Sequence, residues 1–402
     1  MLNVSLVERP THVPAESVID FDVYNPPGLN VDFHEAWMSL QGRGLPELVW
    51  TPRNGGHWMP TKGPLVSKLM TDHARLSSRS MQVPRERAVG NAPIPGSMDP
   101  PTQTPFHTLV VSALSPNAVR GLEPAVKDLT NSLIDDLLPK GRCEFVAEFA
   151  ILLPLRIFID YAGLPRADLP MLRELAEEKV RPSGRITAAE VMKQLAAYLD
   201  PYVRQRAANP GKDLVSLLVS SKIDGRPMTH DEGIRLCSQI LVAGLDTVAG
   251  ILTFTTLYLA RNPTLRRQLT EHPELVPAAV EEFLRRFPLV AIGREVRTDF
   301  EIGQVTLREG DMIVLPTMLY GLNEEAFPQP LNVNLERKQS NHLTFGTGVH
   351  RCPGAPLARL ELRIFLHEWL RRIPEFELGD EPIRYKSGVV GTIANLPIVW
   401  SR

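Results

Sequence analysis

The chain of 402 residues holds only three cysteines, Cys143, Cys237 and Cys352, too few and too widely spaced for a disulfide framework or a four-ligand zinc site. Net charge is nearly absent. The formal value is −2, with Lys and Arg scattered along the chain, so no basic field marks a nucleic-acid partner. No stretch supplies about 18 to 20 uninterrupted apolar residues. Glu8, Arg9, Pro10, Glu16 and Asp20 near the start are unlike a signal peptide or a membrane anchor, so a cytoplasmic chain with no membrane contact is expected. There is no cysteine cluster and no Gly-rich dinucleotide signature after a strand, which leaves no segment for an iron–sulfur or flavin module. Neither an internal repeat nor a low-complexity tract occurs.

What is there reads as an ordinary globular composition, 43% hydrophobic and 22% charged, compatible with a small neutral or hydrophobic ligand. Residues 1–105 are rich in Pro and Gly, with short extended pieces such as Glu47-Leu-Val-Trp50, so loops and small strands are expected there. From about 106 the apolar spacing turns helical, over 118–138, 168–178, 188–208, 214–221, 230–260 and 263–272. Short strands with a turn at Arg308-Glu-Gly-Asp311 follow over 296–315, then a Pro-rich meander at 326–330. A last long helix is predicted at 357–370, and a strand-and-turn tail runs through Val389, Val390 and 396–400. The expectation is a mainly α protein with a small β-rich region and one domain over 1–402. Its β-rich portion lies mainly in 1–105, 296–320 and the tail, and its α-rich body in about 106–290 and 357–370.

The run Phe345-Gly-Thr-Gly-Val-His-Arg-Cys-Pro-Gly354 sets Cys352 among glycines, immediately before a helix starting near Pro356. Glycines permit a tight backbone beside a flat ligand. A helix N-terminus and its amides favour thiolate over thiol, which is the form that ligates a metal. Thiolate ligation of a haem iron favours O–O cleavage. Considered alone, Cys352 reads first as a small buried hydrophobe, and a Cys352–His350 metal pair lacks further ligands at suitable spacing. Pro353 has no N–H to offer the sulfur.

Two other places stand out. Within the apolar 235–260 stretch, Ala243-Gly-Leu-Asp-Thr247 introduces a glycine and two polar side chains. Gly244 leaves room beside the backbone, Thr247 can divert a helical carbonyl bond or hold a water, and Asp246 can relay protons. The bland alternative is a kinked helix with a Thr back-bond. Glu282-Phe-Leu-Arg285 places opposite charges three residues apart on one helix, ordinarily a solvated pair.

Together these segments resemble the cytochrome P-450 superfamily. Phe345, Gly348, Cys352 and Gly354 match its haem-binding signature, with His350 where most members carry Arg. Asp246-Thr247 resembles its acid–alcohol pair, and Glu282 with Arg285 its Glu-x-x-Arg pair, to which a folding role is assigned. The likeness spans nearly the whole chain and is nearest the camphor 5-monooxygenase class, through Ser97-Met-Asp-Pro-Pro101, Arg181-Pro, 241–248, 281–290 and 396–400. It implies the triangular haem-thiolate fold, haem b as cofactor and Cys352 as the iron ligand. It also implies that Arg294 and His350 hold haem propionates and that Arg181 pairs with Asp246. His107 stands where an Arg is usual, and Ile292 where the camphor enzyme has an acid. Asn91 replaces a Tyr that meets the substrate carbonyl, and Gln239 replaces a leucine facing the haem. Val242, Ala243, Val290, Val389 and Val390 keep the expected pocket apolar.

The expected activity is that of a monooxygenase hydroxylating a small hydrophobic cyclic substrate, a terpenoid or norisoprenoid-type ketone. It would use dioxygen and electrons from a 2Fe-2S ferredoxin with its NADH-dependent reductase. Arg351, with Arg359 and Arg363 nearby, is a candidate cationic contact for that partner. A peroxide-driven peroxygenase and a non-catalytic haem sensor or terpenoid-binding protein are the alternatives.

Overall fold

The computed structural model describes residues 6–85, 92–244, 246–337 and 341–401. Helices make up most of the fold, and five strands form its main sheet. Leu48–Thr51 and His57–Pro60 pair antiparallel, Met312–Pro316 joins His57–Pro60 in parallel, and Ala291–Val296 lies between Met312–Pro316 and Leu76–Ser77. In Ala291–Val296 successive side chains face opposite sides of the sheet, so Arg294 and Glu295 point apart. Both are buried.

The predicted helices recur with shifted ends, as Leu169–Val180, Ala188–Ala208, Leu214–Val219, Pro263–Glu271 and Ala355–Arg372. Three departures matter. The 118–138 prediction divides at Gly121 into Pro116–Arg120 and Glu123–Leu137. The 230–260 prediction divides into His230–Gly244 and Thr247–Arg261. Asp246 sits at the break, with φ −134° and ψ −36°. Residues 1–105 also hold the helices Phe33–Met38 and Gly63–Thr71, which Pro and Gly content concealed: Pro64 occupies the first turn, where its missing N–H costs nothing. The stretch His230–Arg261 is long and apolar enough in composition to cross a membrane, yet most of it is buried within the protein.

One hydrophobic cluster runs through the chain. Phe365 and Trp369 of helix Ala355–Arg372 pack against Phe145 and Phe149 at ring distances of 5.1 to 5.7 Å. That packing fixes the helix whose first turn adjoins Cys352.

Candidate active site

Gly346 and Gly348 both take positive φ, 64° and 70°, the left-handed region that favours glycine. These turns reverse the chain so that Cys352 N–H donates to the Phe345 carbonyl (2.8 Å). Cys352 is exposed, although protein atoms surround its sulfur densely enough for burial to raise the thiol pKa. Exposure together with dense surroundings means that the sulfur faces an internal opening. The Gly354 and Ala355 amides and the Arg359 charge act in the opposite sense and favour thiolate. Pro353 therefore does not leave the sulfur without donors; the next two residues supply them. Arg359 lies over the Phe345 ring at 4.7 Å.

Beside this loop stand three basic side chains. Arg294 is almost fully buried, and the one hydrogen bond its guanidinium makes among the described residues is to the Gly293 carbonyl (2.8 Å). Burial lowers its pKa to about 10. His350 Nε2 is buried without a partner. Burial first, then the charges of Arg294 and His107, hold the ring at a pKa of about 4. His107 donates Nε2–H to the Arg351 carbonyl (2.9 Å), so in the neutral ring Nδ1 is an acceptor. A buried guanidinium with a single backbone acceptor is costly unless an anion completes its partners, so Arg294 makes this corner suited to an anion. A haem propionate would meet that need, and Cys352 is the residue that would ligate the iron; the residues fit a haem.

The opposite wall comes from the broken helix. Ala243 is exposed despite its place within an apolar helix, and Gly244, Asp246 and Thr247 are half-buried. Thr247 Oγ1 reaches the Ala243 carbonyl at 3.4 Å, so the back-bond exists but is long. Gly244 has a packing role instead of the expected opening: a Cβ there would lie 2.8 Å from the Phe158 ring. Arg181 grips Asp246 with two bonds of 2.6 Å and also donates to the Val390 carbonyl (3.2 Å). Burial opposes the Arg181 charge, and Asp246 more than restores it, so the guanidinium pKa is raised. A crevice of about 80 Å³ leads to this pair, past Arg173, Glu177 and Lys386.

Hydrogen bonds join these walls. Val290 bridges Val390, Ala291 N–H donates to the Val389 carbonyl (3.0 Å), and a Cβ on Gly293 would meet the Met81 backbone at 2.9 Å. Gly293 was absent from the sequence-based site, although a glycine inside a strand signals such close approach. Val242 and Val390 are buried, and Val290 and Val389 are half-buried. Half-buried Gln239 lies against Gly96, its amide 3.3 Å from where a Gly96 Cβ would be. Asn91 lies outside the described residues.

Away from this opening, Arg285 is completely buried. It pairs with both Glu282 oxygens (2.9 Å each) and donates to the Gly321, Pro330 and Asn332 carbonyls at 2.6 to 2.9 Å. Arg337 and the Asn334 amide also bond Glu282. The pair pins the meander and is not a solvated one. Two of the expected partner-binding arginines are engaged elsewhere: Arg359 holds Glu281 with two bonds (2.6 and 2.9 Å), and Arg363 holds Glu123 (3.0 Å). Arg351 remains exposed.

The sequence profile of the cytochrome P-450 family matches residues 183–384. The probable cytochrome P-450 127A1 of Sinorhizobium fredii is 31% identical over 98% of this chain and 97% of its own length. The crystal structure of CYP101J2 superposes with a TM-score of 0.91 at 42% identity, covering 98% of this chain and 100% of that one. That of CYP101C1 gives 0.92 at 41% with the same coverage.

Proposed function

The chain belongs to the cytochrome P-450 family and is thus a haem b monooxygenase, and from that premise we propose that it hydroxylates a small hydrophobic cyclic substrate, a terpenoid or norisoprenoid-type ketone. The observation that carries the site assignment is an exposed yet densely surrounded Cys352 beside the buried Arg294 guanidinium, whose one hydrogen bond among the described residues is to the Gly293 carbonyl. In this reading Cys352 ligates the iron. Arg294, His350 and His107 hold the propionates, and Phe345, Gly348 and Gly354 shape the loop. The haem, when bound, supplies dioxygen binding and its reductive cleavage.

The protein's own part is proton control and positioning. Arg181 holds Asp246 at the crevice through two hydrogen bonds; when that grip opens, the carboxylate can collect a proton there and present it to Thr247. The long Thr247 back-bond costs little to break, so its hydroxyl is free to turn and donate toward the opening above Ala243. Val242, Ala243, Val290, Val389 and Val390 exclude water from the substrate. Residues 1–402 act as one domain in the cytoplasm. Electrons come from a 2Fe-2S ferredoxin reduced by an NADH-dependent reductase, with Arg351 as one contact for its acidic surface.

Gln239 is the polar anchor of the substrate reading. One neutral hydrogen bond contributes about 0.5–1.5 kcal/mol, so apolar fit provides most of the affinity. Following the Soret band of the ferric enzyme, an ionone-type ketone should bind more tightly than camphor. Gln239→Leu should weaken the ionone-type ketone by up to about tenfold. Tight camphor binding with a full spin shift would reject the ring assignment, and an unchanged ketone affinity in Gln239→Leu would remove Gln239 from the pocket.

A further inference from the structure

Helix Leu169–Val180 buries Leu172, Leu175 and Ala176. The next position on that stripe, one turn further along, is Lys179. A lysine at the end of an apolar face is unexpected, and its surroundings make it more so. Lys179 is only half-buried by area, but the protein around it is dense enough that burial lowers its pKa. Around the helix axis Lys179 sits in the middle of the buried face, between Leu172, Leu175 and Ala176, yet keeps accessible area, so it faces an internal opening. Its neighbours are all matched: Glu177 with Lys386 (2.6 Å), Glu178 with Arg185 and Ser183, and Arg181 with Asp246. Among the described residues the Lys179 ammonium makes no hydrogen bond and no ion pair.

The end of this helix is laced to the substrate side of the active site. Gln82 donates to the Lys179 carbonyl (2.9 Å), and its own Oε1 is buried without a partner. Val389 N–H donates to the Val180 carbonyl (3.3 Å). The carbonyl of Met81, next to Gln82, accepts from Gly293 N–H (2.9 Å), beside Arg294, and a Cβ on Gly96 would meet both Met81 and Gln239. An unpaired ammonium taken partly out of water is costly, and a carboxylate is the group that best offsets the cost, through a charge-assisted hydrogen bond. A neutral ketone does so less well.

We infer that Lys179 is a specificity-determining residue that binds a carboxylate on the substrate, so that this pocket prefers hydrophobic acids to the corresponding neutral compounds. The inference rests on the monooxygenase pocket described above and adds an anionic end to its substrate. A lysine can instead extend its ammonium to bulk water, in which case no preference for acids exists.

The test is a Soret titration of the ferric holoenzyme with two matched pairs: 2,6,6-trimethylcyclohexene-1-carboxylic acid and its methyl ester, and laurate and methyl laurate. In the wild type each acid that binds should do so at least about tenfold more tightly than its ester. Lys179→Met should abolish that preference while leaving ester affinity within about twofold, and Lys179→Arg should retain it. If only the laurate pair responds, with the acid preferred, the cyclic-ring reading fails and the lysine assignment stands. If neither acid is preferred, if nothing binds, or if the preference persists in Lys179→Met, the assignment is overturned.

Discussion

Cys352→Ser is expected to give a folded protein whose reduced, carbon monoxide-treated form lacks the red-shifted Soret band of a thiolate-ligated haem, and which shows no measurable oxygenase turnover. Serine is close to cysteine in size, and the Gly354 and Ala355 amides that face the sulfur remain, so the loop should persist. What is lost is the anion. Those amides and Arg359 can hold a thiolate, whereas an aliphatic hydroxyl keeps its proton at neutral pH, and with it goes the electron donation that favours O–O cleavage. Cys143 and Cys237 cannot substitute, being buried, with burial raising both thiols, Cys237 to about 12. A band unchanged from wild type would refute Cys352 as the ligand.

Arg285→Ala should have an effect of similar size by a different route. The Arg285 side chain is completely inaccessible and satisfies Glu282 together with three meander carbonyls. Removing it leaves a buried carboxylate to Arg337 and one amide, and strands those carbonyls. Breaking a buried pair from one side costs about 3–5 kcal/mol, a large share of the roughly 5–15 kcal/mol that holds a typical domain together. The expected result is little haem-loaded protein and a much lower urea midpoint. Arg285→Lys should rescue poorly, because an ammonium cannot reproduce the planar fork. A wild-type midpoint in Arg285→Ala would remove the pair from its folding role.

The chemistry was more legible in the sequence than the architecture. Cys352 stands out because glycines crowd around it, and Asp246-Thr247 because polar groups interrupt an apolar run; both are local signals. The helix break at Asp246 followed the same interruption, yet periodicity alone ran straight through it, since apolar spacing continues on both sides. Helices Phe33–Met38 and Gly63–Thr71 were hidden by the Pro- and Gly-rich context. Contacts distant in sequence were not legible at all. Nothing near Gly244 in sequence announces the Phe158 ring, and nothing near Arg359 identifies Glu281 as its partner. Lys179 required the burial of its helix face and the pairing of all its charged neighbours before it stood apart from a solvated lysine.

The proposed role of Asp246 and Thr247 in proton delivery, at the opening where Cys352 would ligate a haem, is tested most directly by following isotope-labelled dioxygen and NADH together. In a ferredoxin-reconstituted system, wild type and Thr247→Ala would be compared with a substrate that shifts the ferric spin state. The account predicts one labelled oxygen atom in the wild-type product with most NADH accounted for. Thr247→Ala should bind substrate with unchanged affinity while most reducing equivalents appear as hydrogen peroxide. Unlabelled product, or a Thr247→Ala enzyme that forms as much product per NADH as wild type, would contradict it.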